Sequence, residues 1–397
     1  MVYLLVVLLI VFLAYKFDLG KRRFSNKPYA VLYLVLVLLS GLSYRLGFDS
    51  IGYEYSFNNT YSDSFDADEL IEGFVGFGSQ REPLWFILNW AFYNVFGEFW
   101  VFKIFYALFV NGVVFWFIKK HCSTPYLAIL LYFIFAFFEY NFETLRQALG
   151  ISFFLIALDG YMSTEGIKKY LKYYLWIIPA FFCHHFAILT ILFPLFSRIK
   201  LNATFIFWSF IVVIFLANLA NIFLHITGLD IISDAMAENI EDKMNSDTYG
   251  LGQGLNIIGI IVKLTFGVLP GLFLLKQHKS GALVAFSVLY YILMFSNNYF
   301  HFLFRIAEFF IIPVCISLSE SYLIGIRSID AKKIGKTANK YLVFICFVFI
   351  LFSKTISLIT SEQWVAYYPY SSVITKEVDR DREKAFSEHR TNDYFLY

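Results

Sequence analysis

Long apolar runs, separated by short clusters of Lys and Arg, constrain this chain more than any other feature. Phe205 to Phe223, Leu255 to Leu275 and Tyr341 to Thr360 together carry only two lysines, Lys263 and Lys354. Each run approaches the roughly 20 apolar residues with which a helix crosses about 30 Å of hydrocarbon. With 59% of its residues apolar and only 16% charged, the chain is not expected to form a water-soluble core. Inside lipid the backbone must satisfy its own hydrogen bonds, so helices rather than open strands follow. The expected fold is all-α: a polytopic membrane helix bundle of about 10–13 membrane segments. Candidate helices lie near 1–15, 29–47, 84–97, 99–118, 126–140, 145–162, 174–195, 204–223, 255–275, 282–299, 302–322 and 341–360. A single bundle over 1–360 and a polar, solvated, dispensable tail over 361–397 complete the expected organisation.

Lys and Arg in short loops mark the cytoplasmic side. Lys16, Lys21, Arg22, Arg23 and Lys27 place the first connection inside, as do Lys276 with Lys279 and the run Arg327, Lys332, Lys333, Lys336, Lys340 further on. Two polar stretches, 48–83 and 224–254, then lie outside. If every candidate helix crosses once, however, Lys119, Lys120, Lys168, Lys169 and Lys172 fall on the wrong side. Two partial crossings repair the count. Segment 84–97 is short enough for a half-helix, and 174–195, interrupted by Pro179 and by His184-His185, reads as a re-entrant hairpin. The expected location is the cytoplasmic membrane, multi-pass. Met1 to Tyr15 reads as a retained helix, because no basic residue precedes it and no small-x-small site follows. The four cysteines show no CxxC spacing and read as packing residues. A net charge of +2 argues against nucleic acid as a partner.

Ionised side chains in membrane segments are costly and therefore paired or functional. Arg146, beside Gln147, opens an apolar helix and can pair with Glu143 three residues earlier. Arg305 has the same option with Glu308. Arg45 and Asp49 are four apart, so a helix would put them on one face with Tyr53 continuing the row. Glu82 precedes Pro83 at a helix start. His184 and His185 are adjacent and point to different faces, without the HxxxH or HExxH spacing of a metal site. Asp66-Ala67-Asp68 forms an acidic DxD, within a loop acidic throughout. No metal and no cofactor are expected.

Taken in order, these pieces resemble a known family. Tyr44, Arg45, Gly47, Asp49, Tyr53 and Phe57 form YRxGxDxxxYxxxF after an early helix. Glu82-Pro83-Leu84 opens the next, Arg146-Gln147 precedes an apolar helix, and FFCHHFAIL follows KKYLKYY. A late Arg305 and a terminal YYPY complete the likeness. The pattern resembles the EpsG family, which groups with Wzy-type polymerases of exopolysaccharide, capsule and O-antigen repeat units. The resemblance implies glycosyl transfer at the outer membrane face. The donor would be a glycan on polyprenyl pyrophosphate and the acceptor a lipid-linked repeat unit, with membrane lipid, a chain-length regulator and a flippase as further partners.

The residue inventory suits that chemistry. A departing pyrophosphate needs fixed cations, and the planar fork of arginine fits phosphate oxygens. Arg45, Arg146 and Arg305 are the candidates, with Gln147 and Tyr53 beside them. Glu82, Asp49, His184 or His185 could accept the proton of the attacking hydroxyl. Three other readings fit a charged multi-helix bundle: a lipid-linked oligosaccharide transporter, a metal-dependent glycosyltransferase using Asp66 and Asp68, and a glycan ligase.

Overall fold

The computed structural model describes residues 2–20, 24–60, 82–196, 204–205, 208–209, 212, 282–296, 303–327, 348–349 and 351–392. They are helical throughout, apart from connections and one isolated antiparallel bridge between Ser43 and Ser372. The expected helices 204–223 and 255–275, the stretch 224–254 and Asp66 with Asp68 lie largely or wholly outside the described residues. The chain forms two compact units, Met1–Ile191 with Val348–Tyr397, and Leu192–Phe347.

The first unit begins with α1 (Val2–Leu13), continued by a π-helical stretch Ala14–Leu19, and α2 (Asn26–Gly41). Then come α3 (Phe48–Thr60), α4 (Pro83–Phe96), α5 (Phe99–His121) and α6 (Pro125–Phe135), the last followed by a π-helical turn Glu139–Glu143. Next are α7 (Leu145–Met162) and α8 (Lys168–Cys183), with a 3-10 segment His185–Leu192 after them. Among the described residues, two helices are long and apolar enough to cross a membrane by themselves, Val2–Leu19 and Phe99–His121.

Side-chain contacts fix the direction of each helix. The Tyr29 hydroxyl donates to Phe115 O at 2.8 Å, the Tyr33 hydroxyl to Leu108 O at 2.9 Å, and Gly41 lies against Ile104. So α2 runs antiparallel to α5. Asp18 accepts the Leu127 N–H at 2.7 Å while the Tyr3 ring meets Phe138, which makes α1 antiparallel to α6. Gly150 faces Ala180 and His184, and Gly160 faces Lys172. Small residues thus bring α7 and α8 close together in antiparallel fashion. Asp159 near the end of α7 meets Lys120 at 2.6 Å and His121 at 2.8 Å, at the end of α5.

These directions sort the charges. Lys16, Lys27, Lys119, Lys120, Lys168, Lys169 and Lys172 all sit at one end of the unit. The opposite end carries Arg45, Glu82, Lys103, Glu143 and Arg146.

α4 lies across α5 rather than alongside it. Trp85 packs on Phe102 at 5.4 Å and Phe96 on Phe105 at 6.0 Å. Eleven residues of α4, roughly 16 Å of helix, therefore meet a stretch of α5 only about 4.5 Å long. Pro83 at its start and Gly97 at its end, with φ +68°, bound it tightly, because Pro suits the first helical position and Gly the left-handed cap. At α8, Pro179 sits inside the helix and the break falls at His184, whose backbone is extended. The chain then turns back, since the Tyr173 hydroxyl donates to Thr190 O at 2.7 Å. The hairpin thus turns at the His184-His185 pair, and Pro179 does not interrupt it.

Three polar side chains within the unit are paired with one another. The Asn111 amide donates to Asn141 Oδ1 at 2.8 Å, the Tyr132 hydroxyl to Asn111 Oδ1 at 2.9 Å, and the Asn141 amide to the Tyr132 oxygen at 3.2 Å. This closed triangle ties α5 to α6 and the turn after it. Apolar side chains point outward instead: Leu4, Leu8 and Phe12 on α1, and Leu171, Leu175 and Ile178 on α8, are each more than half exposed at helical spacing.

The second unit contains α9 (Phe193–Phe196), α10 (Ala282–Ser296), α11 (Leu303–Ala307), a 3-10 turn Glu308–Phe310, and α12 (Ile311–Arg327). The Ser287 Oγ lies within hydrogen-bond distance of Ser317 Oγ at 2.7 Å and Pro313 O at 3.1 Å, joining α10 to α12.

The chain returns to the first unit through α13 (Leu351–Thr360), a 3-10 turn Glu362–Ala366, and α14 (Arg380–Asn392). The tail expected to be solvated is docked instead. Arg382 is buried and donates to Val365 O at 3.1 Å, Arg45 O at 3.1 Å and Pro369 O at 2.5 Å. A fork of five donors can satisfy several carbonyls at once, which no local sequence pattern announces. Arg382→Ala strands these acceptors and should cost on the order of 2–3 kcal/mol. Thermal unfolding of the detergent-solubilised chain should show a lowered midpoint, and an unchanged one would mean that the tail is dispensable.

Candidate functional site

The geometry of the site starts from how α3 begins. Gly47 has φ +86° and its N–H donates to Ala366 O at 2.9 Å. A Cβ there would overlap the Phe142 carbonyl, so only glycine lets the two segments touch. The adjacent Glu143 then reaches the start of α3 and accepts the N–H groups of Phe48 at 3.2 Å and Asp49 at 2.9 Å. Those N–H groups have no partner within the helix, and the Glu143 carboxyl oxygens accept both. Burial, with Asp49 and Glu139 nearby, holds the Glu143 carboxyl well above the usual carboxylate range, against the pull of the Asp49 N–H.

Arg146 lies on the other side of this cap. Its guanidinium donates to Glu82 Oε2 at 2.8 Å and, through Nε, to the Tyr53 hydroxyl at 3.3 Å, and stands 5.6 Å from the centre of the Tyr53 ring. The Tyr53 ring in turn packs on Trp85 at 5.1 Å. Glu82 is buried and immediately precedes α4, and Gln147 is buried beside Arg146. Burial pushes the Tyr53 hydroxyl up to about 12, so it meets Arg146 as a neutral phenol. Three segments far apart in sequence, α3, the start of α4 and the start of α7, thus meet at one guanidinium. The local pair Arg146–Glu143 available to the sequence gives way to Arg146–Glu82. Glu143 ends a π-helical turn, and Thr144 at φ −87°, ψ 50° breaks the helix before Arg146, so the three-residue spacing no longer shares a face.

Arg45 is placed differently from the helical row expected with Asp49. It precedes α3 with φ +47°, and its guanidinium forks onto Glu383 at 2.5 and 2.6 Å, with Glu54 at 3.8 Å. Tyr53 and Glu54 are consecutive on a helix, about 100° apart. Arg146 and Arg45 therefore engage different faces of α3. Asp49 does share the α3 face of Tyr53, one turn earlier.

His184 ends α8 against α7, its Cβ 3.5 Å from where a Cβ on Gly150 would lie, one turn along α7 from Arg146. The His185 ring packs on Phe181 at 5.2 Å. Arg305 belongs to the second unit, on α11, with its guanidinium 4.8 Å from the centre of the Phe304 ring.

One residue that sequence reasoning missed belongs to this end. Lys103 is buried in α5, donates to Ser43 Oγ at 2.6 Å and Ser50 Oγ at 3.2 Å, and stands 5.4 Å from the centre of the Phe142 ring. A single lysine between Phe102 and Ile104 in an apolar helix was the available signal. Among the described residues no group of three or more His, Cys, Asp and Glu is placed to hold a metal ion.

The EpsG family matches residues 26–372. The chain belongs to the EpsG family. Searches among curated proteins and among solved structures found no match. The EpsG family is membrane-associated and linked to exopolysaccharide production. The EpsG match takes in the α3 start, Glu82, Arg146 and the His184 turn, while α14 lies beyond it.

The Glu143 cap yields a pH prediction for this EpsG-family chain. Its folded carboxyl binds a proton more tightly than an unfolded one. The stability it contributes is complete below about 4.3, the ordinary value, and is lost as pH rises through the raised one. The melting temperature of the wild type should fall across that interval, and that of Glu143→Gln should fall less. Equal slopes would assign the titration to another group.

Proposed function

We propose that the chain polymerises lipid-linked oligosaccharide repeat units into an exopolysaccharide, capsule or O-antigen glycan, working at the outer face of the cytoplasmic membrane. The observation that carries this reading is Arg146, a guanidinium held by Glu82 and Tyr53 at the end of the unit opposite the lysines. Lysine-rich connections stay in the cytoplasm, so the Arg146 end faces outward. The outward apolar side chains of α1 and α8 face lipid, and α4, lying across α5, does not count as a crossing. The crossings then alternate and leave every lysine cluster of the first unit inside.

In the reaction the acceptor hydroxyl oxygen forms a bond to the anomeric carbon of the donor glycan. The bond from that carbon to the pyrophosphate oxygen breaks, and the electron pair leaves with the polyprenyl pyrophosphate. Arg146 stabilises the charge gathering on that oxygen, the role in which preorganised cations are most effective. Glu82 and Tyr53 fix the guanidinium so that it need not reorganise during the step, and Gln147 packs beside it. Asp49, on the Tyr53 face of α3, accepts the hydroxyl proton. His184, against α7, and His185 are the other groups suited to that role. Arg305 is a separate candidate cation, and Arg45 serves to shape the α3 region through Glu383.

In cells carrying Arg146→Ala, single-repeat glycan should accumulate while the protein remains inserted, with polymer falling at least about 100-fold if one charged contact in the transition state is lost. Unchanged polymer would remove Arg146 from the site. The topology is tested separately. Cysteines at Lys120 and Tyr170 should resist an impermeant thiol reagent in intact cells, and one at Glu98 should react. The reverse pattern would overturn the outward placement.

A further inference from the structure

A cavity of about 280 Å³ opens between α3 and α14. It lies beside Arg45, on the face of α3 turned away from Arg146. Its wall holds three rings, Tyr44, Tyr55 and Phe386, and two side-chain amides, Asn58 and Asn59, together with Glu54. Phe386 belongs to α14, outside the residues matched to the family. Arg45 also borders the cavity, but its fork is already on Glu383, with Glu54 close behind.

That charge balance selects the ligand. Two carboxylates accompany one guanidinium, so the cavity holds no spare positive charge for a phosphate. What it offers is planar amide and carboxylate groups, which bond vicinal hydroxyls in pairs, and aromatic faces, which cover the C–H side of a ring. Small-molecule sites begin near about 300 Å³, so the space suits one sugar ring rather than a whole oligosaccharide.

We propose that the α3–α14 cavity is a saccharide subsite, which binds a neutral sugar ring of the glycan while Arg146 serves the phosphate. The assignment rests on the polymerase reading for its substrate, and it makes the tail part of the binding machinery. α14 is one wall of the subsite and is held in place by Arg382 and by the Arg45–Glu383 fork. Because α3 carries both sites on different faces, it sets the spacing between the sugar that is gripped and the phosphate that leaves.

The test uses the purified full chain in lipid nanodiscs and two probes: free neutral oligosaccharide hydrolysed from the lipid carrier of the same cells, and inorganic pyrophosphate. Asn58→Ala and Phe386→Ala should each weaken oligosaccharide binding about tenfold, equivalent to one hydrogen bond or ring contact, and leave pyrophosphate binding unchanged. Arg146→Ala should do the opposite. Asn58 is exposed, so its variant should keep the wild-type melting temperature and serve as the safe arm if Phe386→Ala unfolds. The proposal is overturned if the wild type binds no free oligosaccharide, or if Asn58→Ala binds it as the wild type does. If the cavity fails while Arg146→Ala still abolishes polymer, the polymerase reading stands. If the cavity binds sugar while Arg146→Ala leaves polymer unchanged, the subsite stands and the polymerase reading falls.

Discussion

The arrangement at the Arg146 end of the first unit depends on one contact, the Glu143 carboxyl on the first N–H groups of α3. A short helix of mostly polar and aromatic residues has little reason to stay ordered alone, because helix nucleation is costly. Anchoring its first turn fixes its rotation. Once that rotation is set, Asp49 and Tyr53 turn toward α7 while Glu54 turns toward the tail. Gly47 makes the contact sterically possible, since it alone lets the chain lie against the Phe142 carbonyl. The glycine and the carboxyl thus form one device, built from two segments about 95 residues apart.

Around this device the charged groups differ in how they are held. Arg146 meets a buried carboxylate and a neutral phenol, so it keeps its charge yet is stripped of much of its water. Electrostatic forces there are stronger than at an exposed surface. Arg45 is locked to Glu383 and contributes order. Lys103 is held by two serine hydroxyls, with Glu54 and Glu143 acting on it from nearby. Arg146, Arg45 and Lys103 thus have three kinds of partner.

Much of the helical framework is legible in the residues. The start and stop of α4 follow from Pro83 and Gly97, and the apolar lengths of α5 and α7 show directly. The importance of Arg146 and Glu82 is legible too, because charges are rare in such segments. Their pairing is not, since it joins residues 64 apart, whereas sequence patterns favour the neighbour at three or four. α3 is hidden for the opposite reason: its sequence has no apolar stripe, and its order comes from what it touches. Pro179 reads as a break because proline costs a helix one hydrogen bond, a loss that neighbouring segments can make good at membrane depth. The tail looks solvated because its charges are dense, yet Arg382 and Glu383 find partners more than 300 residues away.

The transverse course of α4 also bears on the surrounding lipid. A helix lying flat contributes only its own width of about 10 Å to the height of the bundle, instead of its length. Its exposed apolar residues Ile87 and Val95 form a low apolar ledge along the helix that Glu82 precedes. In the proposed membrane placement, acyl chains packed against that ledge meet a shorter hydrophobic wall than elsewhere, a mismatch that a bilayer accommodates by thinning. Under the proposed polymerase reading, that thinning brings the headgroup plane toward the level of Arg146, and a phosphate carried on a lipid reaches the guanidinium by sliding sideways, without lifting its tail out of the membrane.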